Sequence, residues 1–167
     1  MNDFRPLAER MRPRRLEDYA GQSHLVGEHG VIRQMLAGGQ ITPFILWGPL
    51  GVGKTTLARI VAESLGRDFY VLSAVTAGVK EVREVLEEAK SVKLFAKNAP
   101  VLFIDEIHRF NKSQQDSLLG AVERGDVALI GATTENPSFE VISPLLSRCQ
   151  VYTLKPLELG ELRKLVN

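Results

Sequence analysis

The string Gly48-Pro49-Leu50-Gly51-Val52-Gly53-Lys54-Thr55 constrains the fold of this chain more than any other feature. It fits the spacing G-x-x-x-x-G-K-[ST]. The apolar run Phe44-Ile45-Leu46-Trp47 precedes it directly, and Leu57, Ala58, Val61 and Leu65 then recur at helical spacing up to Gly66. A strand, a glycine loop and a helix in this order let backbone N–H groups face an anion with no side chain in the way. The helix starting near Lys54 adds its positive dipole end. Lys54 is therefore expected at the β- and γ-phosphates of a nucleotide, the Thr55 hydroxyl on Mg²⁺, and Thr56 toward the α-phosphate. A chance match in a glycine-rich turn would not require both flanking elements.

The same alternation continues along the chain. Phe69-Tyr70-Val71-Leu72 reads as a second strand, and Val79, Val82, Val85, Leu86 and Ala89 as a helical stripe. Val101-Leu102-Phe103-Ile104 is apolar throughout, which predicts a third strand covered on both faces. Leu118, Leu119 and Val122 mark a helix closed near Gly125, and Val127–Gly131 and Val151–Leu154 read as the fourth and fifth strands. This rhythm predicts an α/β fold: a three-layer parallel sheet with right-handed crossovers. Ligands of such sheets sit beyond the carboxyl ends of the strands, and the informative polar residues fall there.

Asp105 and Glu106 end the third strand. Asp105 is expected to hold Mg²⁺ and Glu106 to orient and polarise an attacking water, the division of labour that phosphoryl transfer to water requires. Asp105-Glu106-Ile107-His108 also spells D-E-x-H, a string of two-lobed helicases, but those motors need a second lobe that 167 residues do not provide. His108 is accordingly read as a polar helix-start residue with no catalytic role. Thr134 follows the fourth strand and reads either as a hydroxyl facing the γ-phosphate or as a turn threonine. Arg148 ends a short helix in Ser143-Pro144-Leu145-Leu146-Ser147-Arg148 and reads either as an arginine completing a neighbour's site or as a helix-dipole partner.

Composition excludes several classes. The single cysteine, Cys149, rules out a disulfide framework within the chain and favours a reducing, cytoplasmic setting. A net charge of +1 gives no global basic field. No apolar run approaches the ~20 residues that span a bilayer, and Met1–Arg15 lacks a signal-peptide core. The stretch from Lys155 to Asn167 begins a helix and stops, which reads as the start of a truncated further domain.

Taken together, these motifs resemble the core of an AAA+ ATPase of the P-loop type. The strings Pro6–Pro13, Ser73–Glu84, His108–Asp116 and Gly131–Glu140 narrow the resemblance to the replication-associated recombination family, whose eukaryotic relatives are the Werner-helicase-interacting ATPases. The resemblance implies a large AAA+ subdomain over residues 25–155. It also implies an adenine-side arm over residues 1–24 and a lid domain beginning at 156–167. Gly48–Thr55 would be the Walker A motif and Asp105-Glu106 the Walker B. Thr134 would be sensor 1 and Arg148 the arginine finger. Arg12, Tyr19, Gly21 and Gln22 would lie on the adenine side. The implied ligands are ATP or ADP with Mg²⁺. The implied partners are DNA gaps, ends or forks, single-stranded-DNA-binding protein and further copies in a tetramer, and the implied setting is the nucleoid. Leu50 and Val52 replace a proline and a threonine usual in the family's loop, and neither position supplies a side chain that phosphates need. Arg109, Lys112, Lys80 and Lys93 are candidate DNA contacts or ordinary solvated side chains. The competing readings are a non-hydrolysing clamp-loader-like assembly module and a Holliday-junction branch-migration motor. A small-molecule kinase fits poorly, because no acceptor-binding insertion is present.

Overall fold

A computed structural model describes residues 22–27, 30–96 and 98–155. The elements are α1 (Ser23–Val26), α2 (Val31–Ala37), β1 (Phe44–Trp47), α3 (Lys54–Ser64), β2 (Phe69–Ser73), α4 (Val79–Phe95), β3 (Val101–Asp105), a 3-10 turn (Ile107–Arg109), α5 (Lys112–Arg124), β4 (Ala128–Thr133), α6 (Pro137–Glu140), α7 (Ser143–Ser147) and β5 (Gln150–Thr153). The five strands form one sheet in the order β2-β3-β4-β1-β5, and every pairing is parallel. The three-layer parallel sheet expected from the sequence is thus present.

Period-two alternation divides the core. Phe44, Leu46, Val101, Phe103, Ala128 and Ile130 face one side, where Leu57, Ile60 and Val61 of α3 and Ile32 of α2 cover them. Ile45, Leu102, Ile104 and Leu129 face the other side, beneath Val82, Leu86 and Ala89 of α4 and Leu118 and Ala121 of α5. The central strands β3 and β4 are buried almost throughout, whereas β2 and β5 form the edges. Helix α5 starts on a reciprocal cap: Gln114 N donates to Asn111 Oδ1 at 2.8 Å and Asn111 N to Gln114 Oε1 at 2.9 Å. Gly125, at φ 73°, ends it.

Strand ends bring the polar residues together. Trp47 pairs with Thr133, and Ser73 with Asp105, so the carboxyl ends of β1, β3 and β4 lie along one rim. Two close approaches fix that rim. A Cβ on Gly48 would stand 2.8 Å from Leu154 Cβ and 2.9 Å from Leu154 O, so only glycine lets the chain pass from β1 into the loop beside the end of β5. Gly131 of β4 leaves room for the buried Ile107, whose Cδ1 would lie 3.1 Å from an added Cβ.

Strand β4 runs past its expected end to Thr133, and β5 begins one residue earlier than expected. Helices α1, α2 and α6 carry no strong apolar period and went unread in the sequence. Overpacking at Gly48 is expected to cost about 1–3 kcal/mol. The Gly48→Ala variant should therefore show a lower urea midpoint with an unchanged m-value.

Candidate active site

The glycine loop leaves β1 at Gly48 and enters α3 at Lys54. Gly51 and Gly53 hold φ values of 83° and 86°, a left-handed backbone that side chains resist. A Cβ at Gly51 would meet nothing within 4 Å, so the loop is open on its outer side. Val52 is buried in the core beneath the loop, while Leu50 is exposed. The loop is thus pinned by Val52 and presents Pro49, Leu50 and Gly51 outward.

Lys54 is buried at the foot of this loop. Its ammonium donates to Gly48 O at 2.6 Å, with longer contacts of 3.4 Å to Pro49 O and Thr133 O. Burial lowers its pKa below the ordinary lysine value, partly offset by the nearby carboxylates of Glu106 and Asp105. A lysine with a depressed folded pKa opposes folding while it is protonated, and this penalty fades only as pH rises through that folded pKa. An anionic ligand would supply the counter-charge that the carbonyls give only as dipoles.

Asp105 is the last residue of β3. Glu106 leaves the strand with φ 54° and ψ 47°, a left-handed conformation strained for a residue with a Cβ. That turn aims the carboxylate across to β4. Thr134 Oγ1 donates to Glu106 Oε2 at 3.1 Å, while Glu106 Oε1 is buried without a hydrogen-bond partner among the described residues. Thr134 therefore engages the carboxylate rather than merely closing a turn.

His108, to which the sequence assigned no chemical role, belongs to this cluster. Its Nδ1 lies 2.7 Å from Thr133 Oγ1, and its Nε2 lies 3.4 Å from Glu106 Oε2. The signal was present only as a histidine two residues after the glutamate. The fold adds the short 3-10 turn that brings its ring back to Glu106. Gln115 was also missed. It is buried on α5, donating to Phe110 O at 3.0 Å and accepting from Ile142 N at 2.7 Å. One side chain thus ties the turn after Glu106 to the start of α7.

Arg148 caps the far end of α7 and reaches Glu123 of α5 at 3.7 Å, with its side chain 56% exposed. Among the described residues it forms no ion pair with Asp105 or Glu106. A role at its own chain's phosphates is therefore not supported, whereas its exposure leaves it open to a neighbouring molecule. The adjacent Cys149 thiol is pushed by burial up to about 11 and stays protonated at neutral pH. Arg12, Tyr19 and Gly21 lie outside the described residues, as does the stretch 156–167. Gln22 is described, and its amide is spent on the backbone of Lys155: Nε2 donates to Lys155 O at 2.6 Å and Lys155 N donates to Oε1 at 2.9 Å. That pairing ties the start of the described chain to the exit of β5 instead of leaving the amide for an adenine ring. Among the candidate basic residues, Arg109 and Lys112 are exposed beside the rim, whereas Lys93 is engaged by Asp126 and Arg124 O.

The residues present fit a magnesium nucleotide. Thr55, half-buried in the first turn of α3, and Asp105 are hard oxygen donors, and Mg²⁺ characteristically takes one or two protein ligands plus phosphate oxygens. Among the described residues no group of three or more His, Cys, Asp or Glu side chains forms a metal cage. The open glycine cradle leaves space where phosphate would sit, with the Glu106 and Asp105 carboxylates near Lys54 at its foot.

Comparison with known proteins bears on the family and the fold. The family described as "ATPase family associated with various cellular activities (AAA)" matches residues 44–157. Replication-associated recombination protein A of Haemophilus influenzae is 52% identical over 99% of this chain and 37% of its own length. The Dictyostelium discoideum protein named ATPase WRNIP1 is 48% identical over 98% of this chain and 18% of its own. Among solved structures, the Thermotoga maritima RuvB Holliday junction branch migration motor superposes with a TM-score of 0.74 at 32% identity, covering 93% of this chain and 52% of that one. The chain thus spans little more than a third of the length of the bacterial recombination proteins it matches.

Replacing Lys54 by Met separates two effects. Loss of a charge-assisted phosphate contact of ~1.5–3 kcal/mol should weaken nucleotide binding by roughly 10- to 100-fold in calorimetric titration. The unfolding midpoint without nucleotide should stay level or rise, because a buried charge has been removed.

Proposed function

The chain belongs to the AAA family of ATPases, and on that premise we propose that it is the nucleotide-binding core of a DNA-dependent ATPase acting in replication-fork maintenance and recombination. The observation that carries the nucleotide chemistry is one cluster: Lys54 beneath a glycine loop, with Glu106 held by Thr134 across the strand ends. Its similarity over nearly the whole chain to proteins named for replication-associated recombination supports the DNA role.

In this reading Gly48–Gly53 wrap the phosphates with backbone N–H groups, and Lys54 moves from Gly48 O to the β- and γ-phosphate oxygens. Thr55 and Asp105 hold Mg²⁺, which when bound neutralises charge on the transferring phosphoryl group. Thr56 lies toward the α-phosphate. Glu106 orients the attacking water and accepts its proton at a carboxylate oxygen. Arg148 acts on the nucleotide of an adjacent copy, which makes a homo-oligomer the catalytic unit and a tetramer the expected assembly. Residues 25–155 form the core, with the arm at 1–24 closing the adenine side through Arg12, Tyr19 and Gly21, and 156–167 opening the lid. Gln22 contributes by anchoring that arm to Lys155. DNA gaps, ends or forks are the proposed substrate and single-stranded-DNA-binding protein the proposed partner, in the nucleoid.

A branch-migration motor is the second reading, favoured by the structural likeness to RuvB. Unwinding or migration of a four-way junction by the intact protein would support it; turnover stimulated by gapped DNA without junction migration supports the first.

Two variants of the intact protein test the chemistry. Glu106→Gln should retain ATP binding while phosphate release falls by ~100-fold or more, since general-base catalysis contributes roughly 10²–10⁴-fold. Arg148→Ala should also lose turnover with little loss of affinity. Mixing the two inactive proteins should restore part of the activity, because mixed assemblies contain intact sites formed by Arg148 of one copy and Glu106 of the next. Absence of any restoration would place Arg148 outside the neighbour's site.

A further inference from the structure

We propose that His108 is the positioning residue of Glu106: it and Thr134 stand against carboxylate oxygen Oε2 and so fix the orientation of the carboxylate that takes the proton of the attacking water. The inference rests on the proposed hydrolytic role of Glu106 and adds to it the group that orients its carboxylate.

Three observations carry it. Both contacts to the carboxylate fall on Oε2, from Thr134 Oγ1 at 3.1 Å and from His108 Nε2 at 3.4 Å. The other oxygen, Oε1, is buried and has no hydrogen-bond partner among the described residues, so the contacts to Oε2 are the ones that orient the carboxylate. The His108 side chain is only 9% exposed, and its second nitrogen is fixed by Thr133 Oγ1 at 2.7 Å, so the ring cannot swing away without breaking a short contact.

The donor inventory gives the ring its orientation. A carboxylate oxygen only accepts, so Nε2 must carry a proton to face Oε2 favourably. The neutral ring then presents Nδ1 as an acceptor, and the Thr133 hydroxyl donates to it. Thr133 Oγ1 also accepts from Glu135 N at 3.0 Å; its single proton has two acceptors in reach, the ring at 2.7 Å and Glu135 O at 3.0 Å, and the ring is the nearer. Thr133 sits at the end of β4, fully buried, and its carbonyl accepts from Gly48 N at 3.1 Å. The ring is therefore referenced to the strand that also borders the phosphate loop, and Glu106 is referenced to the ring. At 3.4 Å the approach of Nε2 to Oε2 is an ion-pair distance and not a formed hydrogen bond, as is often so of catalytic contacts before ligand binds. Glu106 needs such support because its strained left-handed backbone does not by itself select a carboxylate rotamer.

The two ring nitrogens make a discriminating test possible. In His108→Gln the amide nitrogen takes roughly the place of Nε2 and preserves donation to Glu106. In His108→Asn the shorter side chain reaches only the place of Nδ1, where its amide oxygen can accept from the Thr133 hydroxyl, and Glu106 is left without this donor. ATP hydrolysis by the intact protein, with Mg²⁺ and saturating DNA, is measured for both, for His108→Ala, for Glu106→Gln and for wild type. Misplacing the base is expected to lower kcat on the order of 10- to 100-fold in His108→Ala and His108→Asn with KM for ATP nearly unchanged. His108→Gln should recover most of kcat. Wild-type kcat in His108→Ala, a rise in kcat, or equal recovery by Asn and Gln would overturn the proposal. So would a loss of kcat matched by a loss of ATP affinity and of thermal stability. Turnover that survives in Glu106→Gln would instead overturn the underlying role of Glu106, so the two failures are distinguishable.

Discussion

A buried ammonium organises this structure. Lys54 sits in the first turn of α3 with little water around it, and its charge is tolerated because Gly48 O, and more distantly Pro49 O and Thr133 O, surround it. Those carbonyls belong to the loop after β1 and to the end of β4. Solvating that one charge therefore draws on two strands that are neighbours and end together. The register of Trp47 on Thr133 brings those ends level. Glycine at position 48 follows from the same crowding, because the chain must turn beside Leu154 without a Cβ.

Around that ammonium the sheet distributes tasks by strand. β1 delivers the anion cradle, β3 delivers two successive carboxylates aimed in different directions, and β4 delivers two hydroxyls. Adjacent residues of an extended chain point to opposite faces, so Asp105 and Glu106 could not otherwise serve one ligand. The left-handed turn at Glu106 resolves this at a strain of about 1–3 kcal/mol. The strain is held by the packing of Ile107 against Gly131 and by the polar contacts of His108 and Thr134. Arg148 stands apart on the end of α7, linked back through Gln115, which bonds both Ile142 N and Phe110 O.

The sequence disclosed what local chemistry controls. The glycine spacing, the apolar run of β1 and the uninterrupted apolar β3 were legible because backbone freedom and two-sided burial leave a signature in composition. β1 was read to the residue, and β3 fell one residue short at the polar Asp105. The end of β4 was not legible: Ala132 and Thr133 look like loop residues, and pairing with Leu46 and Trp47 alone extends the strand through them. Helix α2 was missed because its N-cap is Gly30, with no side-chain cap, and its seven residues show little period. The contacts of His108 and Gln22 were not legible for one reason. Their partners, Thr133 and Lys155, are 25 and 133 residues away, and no local pattern reports such a contact. The resemblance to recombination-associated ATPases supplied the remainder, and the similarity at about half identity over nearly the whole chain agrees with it.

The most direct test is a crystal structure of the protein with Mg²⁺ and a non-hydrolysable ATP analogue. Lys54 Nζ should have left Gly48 O for oxygens of the β- and γ-phosphates, with Thr55 and Asp105 on the metal side and an ordered water near the Glu106 carboxylate. A nucleotide bound elsewhere, or a Lys54 still held by Gly48 O beside a bound triphosphate, would contradict the account.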